Sequence, residues 1–421
     1  MPRYFFSSNA NKPRICILGG GFGGLYTALA LRRYYRHFQG WDVALVNGSQ
    51  RFVFTPLLYE LVTGEMELWE IAPPYRELLR NTPVTFYCNW VESIDLEARQ
   101  LRLQDRSLID YDYLVLALGK TGARLPHESV LSFRNLADAQ ALDERLQQLE
   151  SRDVDARIRV GVVGGGPNGV ELAGKIADRL GKRGEVRLID RGDRLLPHFT
   201  RATQTSASKA LDRRGIRVSL QSQVTGVTED CLEFVQHGER VEVPIDLVVW
   251  TAGTQNREIV ANLDCLHTAS GKLVVEPTLQ LHDRPEVFVL GDIASIRDNG
   301  VPETAQVTYQ QAGYAAYNIW ASSTHHPLKS FQYLHLGEMV TLGVNDGVTH
   351  SFGIHLNGAL GNFVRRLVYT QRLPTNTHSL RVFWHWLKRS IVSGLKKLLL
   401  GKKKRDRQQK KACKRQFINS L

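Results

Sequence analysis

Short apolar runs recur along the chain, and most end in glycine or a small polar residue. They are Arg14–Leu18, Val43–Val46, Tyr113–Leu118, Val160–Val163, Val186–Ile189, Leu247–Trp250 and Val287–Leu290. Runs this short with little polar alternation predict strands buried on both faces, as in parallel sheets. Helical spacing follows two of them: Leu25, Ala28, Leu29 and Leu31 after the first, and Val170, Leu172, Ala173 and Ile176 after the fourth. Leu136 to Ser151 reads as a linking helix. Strands alternating with helices predict an α/β chain. Beyond Ser330 the rhythm breaks. Phe331–Gly343 and Val348–Ile354 read as strands, and Arg381–Leu400 as an amphipathic helix. Its stripe is Phe383, Trp384, Leu387, Ile391, Leu395 and Leu398, with Arg389, Ser393, Lys396 and Lys397 mostly opposite.

Two of the strands run into glycine loops. The first loop is Gly19-Gly20-Gly21-Phe22-Gly23-Gly24, in which Gly19, Gly21 and Gly24 fit G-x-G-x-x-G. The second, about 145 residues later, places Gly164, Gly166 and Gly169 at the same spacing. The first glycine permits a tight turn, the second lets a pyrophosphate approach the backbone, and the third lets helix and strand pack closely. The helix N-terminus offers free N–H groups to an anion. A single such loop is weak evidence, because a tight strand–helix turn needs no ligand. Two copies in the correct strand–loop–helix–strand setting predict two dinucleotide-binding units.

The strand after such a loop is expected to end in an acid that holds the ribose hydroxyls. After the second loop that acid is Asp190; after the first, the position is Asn47. An amide oxygen accepts a hydrogen bond without charge assistance. Asp190 opposes a 2′-phosphate by roughly 4 kcal/mol at about 4 Å and an effective dielectric of 20. Arg187, Arg191 and Arg194 lie close enough in sequence to offset this, so NADH against NADPH stays open.

Other candidates follow the strand ends. Arg51 to Glu60 contains Phe52, Phe54, Thr55 and Pro56, and suits either a cofactor-lining segment or a buried connection. Ala117-Leu118-Gly119 and Thr251-Ala252-Gly253 are small enough for a flat ring to lie against the backbone. Gly291-Asp292 suits hydrogen bonding to a polyol chain, with a helix cap as the alternative. Gln306 and Gln310 are four apart and share a helix face. That face either donates to a carbonyl-rich ring or is solvated.

The chain has 421 residues, is 43% apolar and carries +12. From Arg381 to Leu421 there are fourteen lysines and arginines against one acid, so the first 380 residues sum to about −1. The basic tail is therefore a solvated run, a nucleic-acid contact or a membrane contact. A neutral body without a recognition motif argues against nucleic acid. A Trp- and Leu-rich stripe flanked by basic residues suits an anionic lipid surface. No apolar run approaches a membrane span, and Met1 to Lys12 has no secretory pattern. Cys16, Cys88, Cys231, Cys265 and Cys413 have neither C-x-x-C nor zinc spacing, which predicts reduced thiols and no metal site.

Taken in this order, the motifs resemble the type II NAD(P)H:quinone oxidoreductases, from about Pro13 to Leu400. Gly64–Pro73, Leu336–Gly343 and Arg372–Thr375 are similar to the cyanobacterial and chloroplast branch, which includes demethylphylloquinone reductases of vitamin K1 synthesis. The resemblance implies two Rossmann-like domains, with a split FAD domain at 1–135 and 276–330 and an NAD(P)H domain at 136–275. A C-terminal membrane-anchoring region would occupy 331–421. It implies FAD at Gly19, Gly21, Phe22, Gly23, Gly24, Asn47, Arg51, Ala117, Gly119, Gly291 and Asp292, with Thr55 and Pro56 near the flavin. NADH or NADPH would sit at Gly164, Gly166, Gly169, Asp190 and Gly253, with Glu171 as the catalytic residue close to nicotinamide and flavin. Gln306, Tyr309 and Gln310 would face the quinone, demethylphylloquinone or plastoquinone, although Tyr309 is bulkier than expected there. The implied location is peripheral, on the cytoplasmic side of a thylakoid or plasma membrane, with a homodimer left open. A respiratory NADH:plastoquinone reductase and a non-turnover flavin redox sensor are the alternatives. A sulfide:quinone oxidoreductase needs a cysteine pair beside the flavin, a setting Cys88, Cys231 and Cys265 lack.

Overall fold

The computed structural model describes residues 12–34, 41–153, 155–297 and 300–389. From the N-terminus the chain forms β1 (Arg14–Leu18), helix α1 (Phe22–Leu31), β2 (Asp42–Asn47), the short helix α2 (Tyr59–Val62), β3 (Val84–Cys88) and β4 (Tyr113–Leu116). Helix α3 (Leu136–Glu150) leads to β5 (Ile158–Val163), α4 (Pro167–Leu180), β6 (Gly184–Ile189) and β7 (Leu247–Trp250). Then come β8 (Arg284–Val289), α5 (Ala305–Ser323), the strands β9 (Glu338–Gly343), β10 (Asp346–Ser351) and β11 (Ile354–Asn357), and helix α6 (Gly358–Gln371). Shorter strands and hairpins lie between these elements.

The apolar runs make two parallel sheets. In the first, β8, β4, β1, β2 and β3 lie side by side, with Ile15 opposite both Val43 and Tyr113. Both neighbours of β1 are strands, so Ile15, Cys16, Ile17 and Leu18 are fully buried. In the second, β6, β5 and β7 are adjacent, with Val160 opposite Val186 and Leu247. The strand Val130–Ser132 joins this second sheet beside β7, and Leu273–Val275 joins the first. Burying each such Val or Leu side chain contributes about 1.5–3 kcal/mol.

The C-terminal expectations need correction. Phe331–Gly343 is a strand only from Glu338. Residues 331–337 run without regular structure, because side-chain amides take several of their backbone groups and Gly337 turns at φ +121°. Val348–Ile354 is broken by a turn at Phe352 and Gly353, with φ +47° and +79°, and Ile354 starts the next strand. Helix α6 was not foreseen. The described residues from Val368 onward belong to a second unit. Within it, 376–389 is helical, and the remainder of the amphipathic stretch and basic tail lies outside the described residues. No helix among the described residues is long and apolar enough to cross a membrane.

Candidate active site

The two glycine loops are built alike. Gly19 has φ +95° and Gly164 has φ +123°, values that side chains rarely adopt. A Cβ on Gly24 would run into the Gly19 carbonyl, and one on Gly169 into the Gly164 carbonyl, so both third glycines sit where helix meets loop. Gly21 and Gly166, in contrast, face open space with nothing within 4 Å. The polar residue at the end of the following strand also binds each loop in the same way. The Asn47 side-chain oxygen accepts the Gly20 N–H at 2.9 Å, and Asp190 accepts the Gly165 N–H at 2.6 Å. The second carboxylate oxygen of Asp190 accepts the Gly192 N–H at 2.7 Å, whereas the Asn47 amide donates to the Ser49 carbonyl.

The three arginines near Asp190 diverge. Arg187 donates to the Ser219 hydroxyl and lies over the Phe234 ring. Arg194 pairs with Asp193, and Arg191 is exposed.

The strand ends divide between the two loops, with Ala117 at Gly19 and Thr251 at Gly164. Ala117 is buried against Gly19, while Gly119 turns at φ +59°. Gly253 turns at φ +71°, and Arg134 donates to its carbonyl and to that of Thr251. The Gly291 N–H donates to Gln311 Oε1 at 2.7 Å, so a buried glutamine holds the Gly-Asp turn. Asp292 is half-buried, and burial followed by the charge of Glu303 pushes its carboxyl above the usual range. Among the described residues no group donates a hydrogen bond to it. Arg51 donates to the Ala72 carbonyl, and Phe52 and Phe54 are buried while Thr55 is exposed. Phe22, Tyr26, Phe52, Phe54 and Tyr309 form one aromatic cluster, with Tyr26 and Tyr309 edge-to-face at 4.8 Å between centroids.

Glu171 lies on α4, just past the second loop, and is buried. Gly174 on the same helix lets β9 come close, since a Cβ there would strike the Leu342 carbonyl. That approach brings the Thr341 N–H to Glu171 Oε1 at 2.9 Å. Arg365 of α6, fully buried, donates to Glu60 Oε1 at 2.6 Å and to the Pro56 carbonyl at 2.7 Å, and stands 3.7 Å from Glu171. Lys175, one turn beyond Glu171, is paired with Glu65. Tyr59 donates to Asn168 at 2.7 Å. Burial pushes the Glu171 carboxyl up to about 7, with Arg365 and the Thr341 N–H pulling it back. Glu60, Glu65, Lys175 and Arg365 were missed from sequence. The available signal was an arginine pair inside the otherwise apolar Phe363–Tyr369 stretch.

Gln306 and Gln310 do share a face of α5, and that face carries residues 333–337. Gln306 Oε1 accepts the Tyr333 hydroxyl at 2.8 Å and the Leu336 N–H at 2.9 Å. Gln310 exchanges two hydrogen bonds with the Leu334 backbone, at 2.8 and 3.0 Å. Tyr309, between them, is 37% exposed. Of the cysteines, Cys16, Cys88, Cys231 and Cys265 are free, and Cys413 lies outside the described residues. No metal-ligating cluster occurs among the described residues.

Two nucleotide loops on two parallel sheets define a class, and the family model for it, pyridine nucleotide-disulphide oxidoreductase, matches residues 13–312. A Synechocystis demethylphylloquinone reductase is 41% identical over 398 residues, covering 91% of this chain and 98% of that protein. An Arabidopsis thaliana alternative NAD(P)H-ubiquinone oxidoreductase is 37% identical over 440 residues, covering 94% and 84%. A solved Plasmodium falciparum NDH2 shares the fold at TM-score 0.80, with 18% identity, 90% of this chain and 98% of that one. The chain belongs to the pyridine nucleotide-disulphide oxidoreductases, and within them to the type II NAD(P)H:quinone oxidoreductases.

Proposed function

We propose that this protein is an FAD-dependent, non-proton-pumping NAD(P)H:quinone oxidoreductase that reduces a membrane naphthoquinone, with demethylphylloquinone, named for the Synechocystis relative, as its acceptor. The observation that carries the reading is the duplicated loop, Asn47 on Gly20 and Asp190 on Gly165, each with an open middle glycine. Gly21 leaves room for the FAD pyrophosphate, Asn47 for its ribose, and Asp292 has acceptor capacity for its polyol chain. Gly166 and Asp190 serve the nicotinamide nucleotide in the same way. Bound FAD supplies the two-electron chemistry between nucleotide and quinone.

The protein's own part is orientation and charge. The loops hold donor and acceptor rings at reacting distance, about 3–3.5 Å, which makes the step effectively unimolecular. Glu171, with its carboxyl near neutrality, is poised to exchange a proton beside the nucleotide. Gln306, Tyr309 and Gln310 border the quinone side, where the 333–337 segment must share the two amides with a quinone carbonyl.

A peripheral membrane position fits an inverted helix. In α6 the buried face carries Asn362 and Arg365, while Leu360, Phe363 and Leu367 are exposed. Phe352 and Ile354, at the tip of the β10–β11 hairpin, are 80% and 63% exposed. We assign these apolar groups, with the basic 381–421 region, to an anionic membrane on the cytoplasmic side of a thylakoid or plasma membrane. A homodimer is compatible with this placement. The ubiquinone named for the Arabidopsis relative supports a second reading, reduction of a benzoquinone such as plastoquinone.

The test is a turnover assay of the purified yellow protein, with NADH and NADPH against demethylnaphthoquinone and plastoquinone analogues. Faster turnover with the naphthoquinone is expected. Colourless protein that FAD does not restore would overturn the assignment, and slow turnover with every quinone would favour a redox sensor.

A further inference from the structure

Five ionisable side chains meet at Glu171 with almost no access to water. Arg365 and Lys175 are 0% exposed, Glu60 is 2% and Glu171 is 6%. The Glu65 side chain is 11% exposed. Three of the five are acids and two are cations, and the next cation, Arg366, is only half-buried, so full ionisation would leave one acid in the dry site without a dry cation of its own. An uncompensated buried charge is costly and is removed by protonation.

The pairing decides which acid is in surplus. Arg365 is committed to Glu60 at 2.6 Å and to the Pro56 carbonyl at 2.7 Å, and Lys175 to Glu65. Glu171 receives the oblique approach of Arg365 at 3.7 Å and one N–H from Thr341. The other groups facing the cluster are the Tyr59 hydroxyl, which bonds Asn168 and also reaches the Glu171 carboxyl, and half-buried Arg366, which donates to the Glu65 carbonyl. Burial works to raise Glu60, but Arg365 and Lys175 outweigh it and hold its carboxyl below the usual range. Glu171 goes the other way. A single guanidinium therefore serves two carboxylates unequally, and what Glu60 takes, Glu171 lacks.

We propose that Arg365, clamped by Glu60 and the Pro56 carbonyl, is the positioning residue that decides whether Glu171 is charged and where its carboxyl sits. This rests on the reading that Glu171 lies beside the nicotinamide. There a carboxylate favours the cationic, oxidised nucleotide ring, and a carboxylic acid does not. Arg365 comes from a segment about 190 residues beyond Glu171 and reaches the Glu171 carboxyl directly, so its effect is exerted through that group.

The experiment follows the protonated-carboxyl infrared band of Glu171 across pH in the FAD-loaded protein, with no nucleotide or quinone added. Glu171→Gln identifies the band. Arg365→Met is expected to raise its midpoint by about one pH unit or more, the scale of a lost neighbouring charge. Glu60→Gln is expected to lower it, because it removes a negative neighbour and frees the guanidinium. Arg365→Lys should restore most of the Arg365→Met shift. Flavin content and melting temperature accompany each variant, since a purely structural role would move those and leave the midpoint in place. Coincident midpoints, or shifts of the same sign in Arg365→Met and Glu60→Gln, overturn the assignment. If Arg365→Met does not fold, Glu60→Gln decides alone: a downward shift supports the proposal and no shift overturns it. Stopped-flow reduction by NAD(P)H separates the two layers. Wild-type rates in Glu171→Gln would remove the nicotinamide reading, whereas slow rates with unshifted midpoints would remove only the role of Arg365.

Discussion

The side-chain oxygen of Asn47 accepts the backbone N–H of Gly20 at 2.9 Å. Asp190 makes the same bond to Gly165 in the second loop. The amide thus shapes its loop as the acid does, and gives up only charge assistance toward a ribose. Tyr75 supports the same turn by donating to the Gly20 carbonyl at 2.6 Å. Asn47→Ala removes a bond of about 0.5–1.5 kcal/mol and leaves Gly20 unsatisfied, so FAD should be retained several-fold less well. Asn47→Asp should retain it fully. The ratio of flavin to protein absorbance after gel filtration reads this out, and equal ratios would sink the idea.

Glu171 also marks the stability curve. Its carboxyl is raised from 4.5 to about 7 by burial first, against the pull of Arg365. A raised acid contributes stability that is fully present below the unfolded value and is lost as pH rises through the folded one. The wild-type advantage over Glu171→Gln should therefore shrink between pH 4.5 and about 7, by at most about 1.4 kcal/mol per pH unit. Urea unfolding of both proteins across that window is the check. Parallel curves would show that Glu171 titrates as an ordinary carboxylate.

On the quinone side, the amides of Gln306 and Gln310 carry the 333–337 segment. Gln306→Ala should leave flavin reduction by NAD(P)H at its normal rate and slow reoxidation by naphthoquinone about tenfold or more, as expected for a lost oriented hydrogen bond to the reacting ring. Tyr333→Phe removes one bond to Gln306 but keeps the amide. Reoxidation should then stay close to wild type. If both variants lose reoxidation equally, the amide acts through the segment and not on the quinone.

Membrane attachment is checked by pelleting with anionic liposomes. Deletion after Leu380 removes the basic surplus, and each lysine or arginine near such a surface contributes about 1 kcal/mol. Pelleting should be lost. Serine at both Phe352 and Ile354 should weaken it several-fold and leave its salt dependence in place, because apolar insertion and charge attraction are separate contributions. Full pelleting of the deletion protein would assign attachment to the remaining surface.

The parallel strands and both loops were legible because their information is local. Ile15–Leu18 and Val160–Val163 carry short runs without a polar residue, and the third glycine of each loop, Gly24 or Gly169, is required by the carbonyl five positions before it. The 331–337 stretch was misread as strand. Its polar partners are side chains on α5, which no periodicity within the stretch reveals. Gln311, adjacent to the noticed Gln310, holds the Gly291 turn for the same hidden reason.

By itself the amino-acid order determined the alternation of strands and helices, the two dinucleotide loops, the candidate acid Glu171 and the placement of positive charge at the C-terminal end. These depend on neighbours a few residues apart. The tertiary structure alone decided the surroundings of the Glu171 carboxyl, since Thr341 and Arg365 reach it from distant segments, with Arg365 itself held by Glu60 and the Pro56 carbonyl. A carboxyl's proton affinity is the balance between lost water and gained partners, and that balance exists only once the chain has closed around it.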